Sequence, residues 1–163
     1  MGLVITLVLG GARSGKSAIA EALAAELGDD VVYLATASVT DADFAARVER
    51  HRRRRPPSWL TVECGSGLPG ALRRHADRPV LVDSLGTWVA GLPAFAVDVT
   101  DLIEALGSRS APTVVVSEEA GLGVHPETEV GRRWRDAVGT LNQAVAAAAD
   151  EALLVVAGRV IRL

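Results

Sequence analysis

Apolar runs of strand length alternate along the chain with stretches in which apolar residues return every three or four positions. Residues 5–9, 31–35, 60–63, 80–82, 113–116 and 152–156 read as strands. Most are apolar at every position, not at alternate ones, the pattern of strands covered on both faces. Between them, Ile19, Leu23 and Leu27 form a helical stripe that stops at Gly28, and Phe44, Val48 and His51 form a second that begins after Asp41. Leu68 and Leu72 mark a short third. Thr100 is placed to cap a helix carrying Leu102, Ile103 and Leu106, and Pro126 stands at the first turn of the longest helix, through Val130, Trp134, Val138, Leu141 and Val145. Residues 155–161 read as a strand, a glycine turn and a short closing strand, whereas residues 91–99, with Pro93, show little periodicity. Alternation of strand and helix predicts an α/β fold with a mostly parallel central sheet.

A chain of 163 residues, 49% of them hydrophobic and only 4% aromatic, has the size of one domain (residues 1–163) whose core is mostly Ala, Val and Leu. The net charge of −3 gives no broad basic surface and argues against nucleic acid as a partner. Cys64 is the only cysteine, which excludes an internal disulfide, and its plain reading is a small buried hydrophobe. The apolar run at residues 3–9 is too short to span a bilayer and leads into a glycine loop, so the expectation is a cytoplasmic protein with no membrane span. Of the 17 basic residues, sixteen are Arg and one is Lys16. A lone ammonium group in such a chain invites a chemical explanation.

That explanation lies in Gly10-Gly11-Ala12-Arg13-Ser14-Gly15-Lys16-Ser17, which fits G-x-x-x-x-G-K-S between an apolar strand and an amphipathic helix. Glycines let successive N–H groups wrap a phosphate, Lys16 meets the outer phosphates, and the Ser17 hydroxyl can ligate Mg²⁺. The motif therefore predicts a nucleoside triphosphate, ATP or GTP. Asp83 ends an apolar strand at the side where parallel sheets bind ligands, and reads either as a ligand of Mg²⁺ or its water or as a helix cap. In the run His51-Arg52-Arg53-Arg54-Arg55, guanidinium groups hold the imidazole toward its neutral, nucleophilic form and can grip the phosphates under attack. The alternative there is a solvated basic face with one half-buried histidine. Glu118-Glu119, ahead of a glycine-containing loop, read as a substrate or metal site or as capping acids of a solvated loop. Glu63 is a strand-end acid able to accept from a ribose or a guanine. His75 reads as an exposed helix residue, and Asn142-Gln143 as an interface pair or a solvated one.

Taken in order, LVLGGARSGKSAIAEALA, YLATA, AARVERHRRRRP, LVDSLGTWV, EEAGLGVHPE and LNQAVAAAADEALLVVAG resemble the bifunctional adenosylcobinamide kinase/adenosylcobinamide-phosphate guanylyltransferase family of cobalamin biosynthesis. The resemblance implies a P-loop, RecA-like three-layer α/β fold, a homotrimer, and adenosylcobinamide and its phosphate as substrates. It implies phosphorylation of the aminopropanol hydroxyl by ATP or GTP, followed by GMP transfer from GTP through a histidine that by position is His51. Nucleotide contacts then fall on Gly10 to Ser17, on Ala35, Thr36 and Ala37, on Arg52, Arg53, Arg54 and Arg55, on Glu63 and near Asp83. The chain departs from the family in having Arg50 where some members carry a second histidine, and Glu118 and Gly91 where asparagines are usual. Two other readings stay open at this level: a P-loop kinase of a different small-molecule alcohol with no covalent step, and a non-catalytic nucleotide-binding module.

Overall fold

The computed structural model of the protein describes residues 4–37, 49 and 55–163; the stripe predicted through Phe44, Val48 and His51 lies outside the described residues. Among the described residues, β1 (Ile5–Gly10) leads into α1 (Lys16–Ala25) and β2 (Val32–Ala35). Next come β3 (Leu60–Glu63), α2 (Leu68–Arg74), β4 (Val80–Asp83) and α3 (Leu85–Ala90). A 3-10 turn (Pro93–Phe95), α4 (Val99–Gly107), β5 (Thr113–Glu118), α5 (Glu129–Ala148), β6 (Glu151–Val156) and β7 (Arg159–Arg162) follow.

The seven strands form one sheet in the order β3-β2-β4-β5-β1-β6-β7. All pairings are parallel except that of β6 with β7, where the predicted glycine turn reverses the chain. Alternate residues of each strand feed two apolar layers. Val8, Tyr33, Leu81, Val116 and Val155 pack with Ala20 and Ala24 of α1 on one face. Leu7, Leu34, Val82 and Val115 pack with Leu72, Val89, Leu102, Leu141 and Val145 on the other, which carries α2, α3, α4 and α5. Leu7, Val8, Val115 and Val116 are fully buried, and each such side chain contributes about 1.5–3 kcal/mol by leaving water. Parallel pairing brings the carboxyl ends of β1, β2, β4 and β5 to one edge, where ligands of open α/β sheets bind.

Two helix starts differ from the sequence reading. Asp98, not Thr100, caps α4, its side chain accepting from Asp101 N at 2.9 Å. Thr128, not Pro126, precedes α5 and accepts from Gly131 N at 3.0 Å. Both capping residues have short side chains with an oxygen one or two bonds beyond Cβ, so the sequence offered several equivalent candidates within a few residues. Below the sheet, buried Arg109 donates to Thr113 Oγ1, Leu72 O, His75 O and Arg78 O at 2.6–3.0 Å. It thereby ties α2 and the loop after it to β5. Burial pushes its pKa down to about 10. His75, read as an exposed helix residue, is the half-buried residue that closes α2.

Candidate active site

Beyond Gly10 the backbone passes through Arg13 at φ 57° and Gly15 at φ 96° before entering α1. Gly15 holds the N-cap position and offers no side chain to the helix end, so the first-turn N–H groups face the loop as an anion cradle. A Cβ on Gly10 would lie 2.3 Å from Ser14 Oγ and 3.0 Å from Val155 O, so the close approach of loop and β6 requires glycine there. The turn between β6 and β7 supports the cradle from behind, Gly158 N donating to Ser14 O at 2.7 Å.

Lys16 folds back over this loop. Its ammonium donates to Gly11 O at 3.4 Å and stands 3.9 Å from Glu118 Oε1, with side chains 13% and 25% exposed. Glu118 ends β5, directly opposite Gly10 in register. Ser84 Oγ donates to its carboxylate (2.8 and 3.0 Å to the two oxygens), and Gly86 N donates to Oε2 at 2.9 Å. Its backbone oxygen accepts from Asn142 Nδ2 at 3.0 Å, and Ser117 Oγ donates to Asn142 Oδ1 at 2.6 Å. Asn142 is therefore a buried brace between α5 and the end of β5, neither an interface group nor a solvated one. Glu119 behaves differently: its Oε1 accepts from Gly121 N at 2.7 Å and Leu122 N at 3.2 Å, the turn-capping role. Of the acidic pair, Glu119 takes the capping reading, whereas Glu118 stands beside the lysine of the glycine loop.

At the end of β4, Asp83 Oδ2 accepts from Tyr33 Oη at 2.8 Å. The helix cap is the next residue, Ser84, in a reciprocal capping box with Thr87 that starts α3. Thr36 Oγ1 accepts from Ser84 N at 2.9 Å and lies 2.6 Å from Thr87 Oγ1, locking the end of β2 to the start of α3. Arg55 closes the other side, its guanidinium carbon 3.6 Å from the Tyr33 ring centroid. Burial, then the Asp83 carboxylate beside it, pushes the Tyr33 phenol well above its usual range, so it remains a hydrogen-bond donor. Glu63 faces Ala35 in register, and Cys64 N donates to Ala35 O at 2.9 Å. Cys64 is half-buried, and burial raises its thiol pKa.

The sheet edge thus gathers Gly10 to Ser17, Ala35 and Thr36, Asp83 and, through Tyr33, Arg55; Ala37 follows directly, and Glu63 ends the outermost strand. His51, Arg52, Arg53 and Arg54 lie outside the described residues. Tyr33, Ser84, Thr87 and Trp134, whose Nε1 donates to Gly86 O at 3.0 Å, complete the surroundings and were not singled out from sequence. Only the Ser84-x-x-Thr87 spacing, the structure's capping box, could have pointed to α3 in the sequence. A hydroxyl at Ser17 and a carboxylate at Asp83 are hard oxygen donors of the kind Mg²⁺ takes together with phosphate oxygens and water. Among the described residues no cluster of three or more His, Cys, Asp and Glu could hold a metal by itself.

Strand, glycine loop, lysine and helix in this order on a central β1 define a P-loop nucleotide-binding α/β protein. Solved structures share the fold: an ATPase from the type III secretion system of pathogenic bacteria has a TM-score of 0.54 at 11% identity, over 93% of this chain and 51% of that one. The flagellar accessory protein FlaH from Methanocaldococcus jannaschii has a TM-score of 0.53 at 13% identity, over 96% and 74%. The chain belongs to the cobinamide kinase / cobinamide phosphate guanyltransferase family, whose model matches residues 6–163. It is 42% identical to the bifunctional adenosylcobalamin biosynthesis protein CobP of Pseudomonas aeruginosa, over 93% of this chain and 92% of the relative. It is 38% identical to the protein of that description named CobU from Escherichia coli, over 95% and 97%. The chain is accordingly a transferase of this family.

Proposed function

We propose that the chain phosphorylates adenosylcobinamide with ATP or GTP and then converts the phosphate to adenosylcobinamide-GDP through a guanylylated His51. In the first reaction the hydroxyl oxygen of the aminopropanol arm gives up its proton to solvent and bonds to the γ-phosphorus while the bond to the nucleoside diphosphate breaks. Lys16 and the N–H groups of the loop hold the triphosphate in line. In the second, a ring nitrogen of His51 bonds to the α-phosphorus of GTP and pyrophosphate departs. A phosphate oxygen of the corrinoid then displaces the imidazole, which returns neutral. Gly10 to Ser17 bind the phosphates, Ala35 to Ala37 and Glu63 line the nucleoside, and Arg52 to Arg55 neutralise charge on the transferred group. Ser17 and Asp83 would hold Mg²⁺, which supplies further neutralisation at the outer phosphates.

The observation that carries this reading is the seat of Arg55. The arginine segment that begins at His51 ends against Tyr33, whose hydroxyl bonds Asp83 on the sheet face covered by α1, the helix that opens with Lys16 and Ser17. Incubation with α-labelled GTP and magnesium tests it. Label should stay on the protein through base, leave in acid, and be absent from His51→Ala; label retained by that variant removes His51 from the chemistry. The same reading takes residues 1–163 as one nucleotide-binding domain acting as a homotrimer in the cytoplasm. Light scattering gives the protomer number.

A further inference from the structure

We propose that Glu118 is a positioning residue for Lys16 that competes with the nucleotide's outer phosphates for its ammonium group and so sets how tightly triphosphate and pyrophosphate are held. The inference rests on the P-loop reading. Three observations carry it. Glu118 Oε1 is 3.9 Å from the Lys16 ammonium, in a pair largely withdrawn from solvent, with side chains 13% and 25% exposed. The carboxylate is held by donors from a different element, Ser84 Oγ at 2.8 Å and Gly86 N at 2.9 Å, so it cannot swing away when an anion enters. Its backbone is fixed as well, by Asn142 Nδ2 at 3.0 Å and by the strand register opposite Gly10.

A fixed carboxylate beside the loop has a definite sign of effect. Before an anion binds, it neutralises Lys16; afterwards the ammonium faces phosphate oxygens while the carboxylate remains a like charge a few ångströms behind them. Both terms oppose retention of the outer phosphates, and neither acts on a ligand that lacks them. Glu118 therefore helps pyrophosphate leave once it has served as leaving group, because Lys16 has an internal anion to return to. A carboxylate that merely braced the loop would give the opposite sign, since its loss would loosen the cradle and weaken every ligand.

The test is calorimetric titration of wild type, Glu118→Gln and Lys16→Ala with GTP, GMP and inorganic pyrophosphate. Gln keeps the length of the side chain and an oxygen for Ser84 or Gly86. In Glu118→Gln, GTP and pyrophosphate should bind about three- to fivefold more tightly, the scale of a partly exposed charge pair, with GMP unchanged. Adding Glu118→Gln to Lys16→Ala should give a smaller gain than it gives in wild type, because the ammonium it competed for is gone. Unchanged or weaker GTP binding by a folded Glu118→Gln protein overturns the proposal, as does equal tightening of GMP. Should Glu118→Gln fail to fold, the proposal is judged on the salt dependence of pyrophosphate binding to Glu118→Asn, which removes the charge by way of the residue usual at this position in the family. Pyrophosphate should then bind more tightly than to wild type, and the excess should shrink with added salt; no excess overturns it. Failure of wild type to bind GTP at all defeats the P-loop reading instead.

Discussion

Replacing Gly86 by alanine probes the contact between α3 and β5. A Cβ built there lies 2.0 Å from Glu118 Oε2, 2.7 Å from its Cδ and 3.1 Å from Trp134 Cζ2. The carboxylate must move, and moving it breaks the Gly86 N–H bond and strains the one from Ser84 Oγ, at 2.9 and 2.8 Å. Hydrogen bonds to a charged group are each worth about 1.5–3 kcal/mol net. Water recovers part of that loss because the Glu118 side chain is 25% exposed. Alanine also returns up to about 1 kcal/mol of helix propensity. The balance is a destabilisation of about 2 kcal/mol, or a fall in Tm of about 4–8 °C for a chain of this length. Thermal unfolding followed by circular dichroism measures it. A Gly86→Ala protein that melts within a degree of wild type refutes the reasoning, since the close approach would then carry no cost.

Gly139, exposed in the middle of α5 with open space around it, should respond with the opposite sign: Gly139→Ala is expected to gain about 0.5–1 kcal/mol in the same melt. Arg109→Met strands four oxygens that now share one guanidinium, and a loss of about 3 kcal/mol or more by urea unfolding is expected. Lys16→Ala should abolish both phosphoryl and guanylyl transfer in assays of each half-reaction, because each requires the triphosphate held. Burial, then Arg78, Arg74 and Arg109, lowers the pKa of His75 below 6.5. The unfolded chain therefore takes up this proton first, and the contribution of His75, complete above pH 6.5, is lost as pH falls through the window down to the folded value. Comparing wild type with His75→Asn by urea unfolding from pH 7.5 to 5 should show a shallower acid decline in the variant.

The sheet was legible because its strands are buried on both faces and so read as unbroken apolar runs, and the P-loop because its chemistry tolerates few residue types. α3 escaped notice for a physical reason: Leu85–Ala90 makes fewer than two turns, too short for a 3.6-residue period to show, and its start is a serine and threonine bonding each other. Choosing among Asp98, Thr100, Pro126 and Thr128 as helix starts needs the backbone geometry that decides which oxygen reaches which N–H. Glu118 and Glu119 look alike as letters, yet one ends β5 opposite Gly10 and the other caps a turn. Local spacing carries no information about a carboxylate supplied to Lys16 from over a hundred residues downstream.

The support that Gly158 gives Ser14 sets an order of events during synthesis. β1 leaves the ribosome early, but its two sheet neighbours are β5 and β6, and its phosphate loop leans on the turn after β6. A nascent chain halted before Gly158 therefore lacks a finished cradle, however much of the apolar core it has already gathered. Stalled or prematurely terminated copies should be unable to sequester cellular nucleotide.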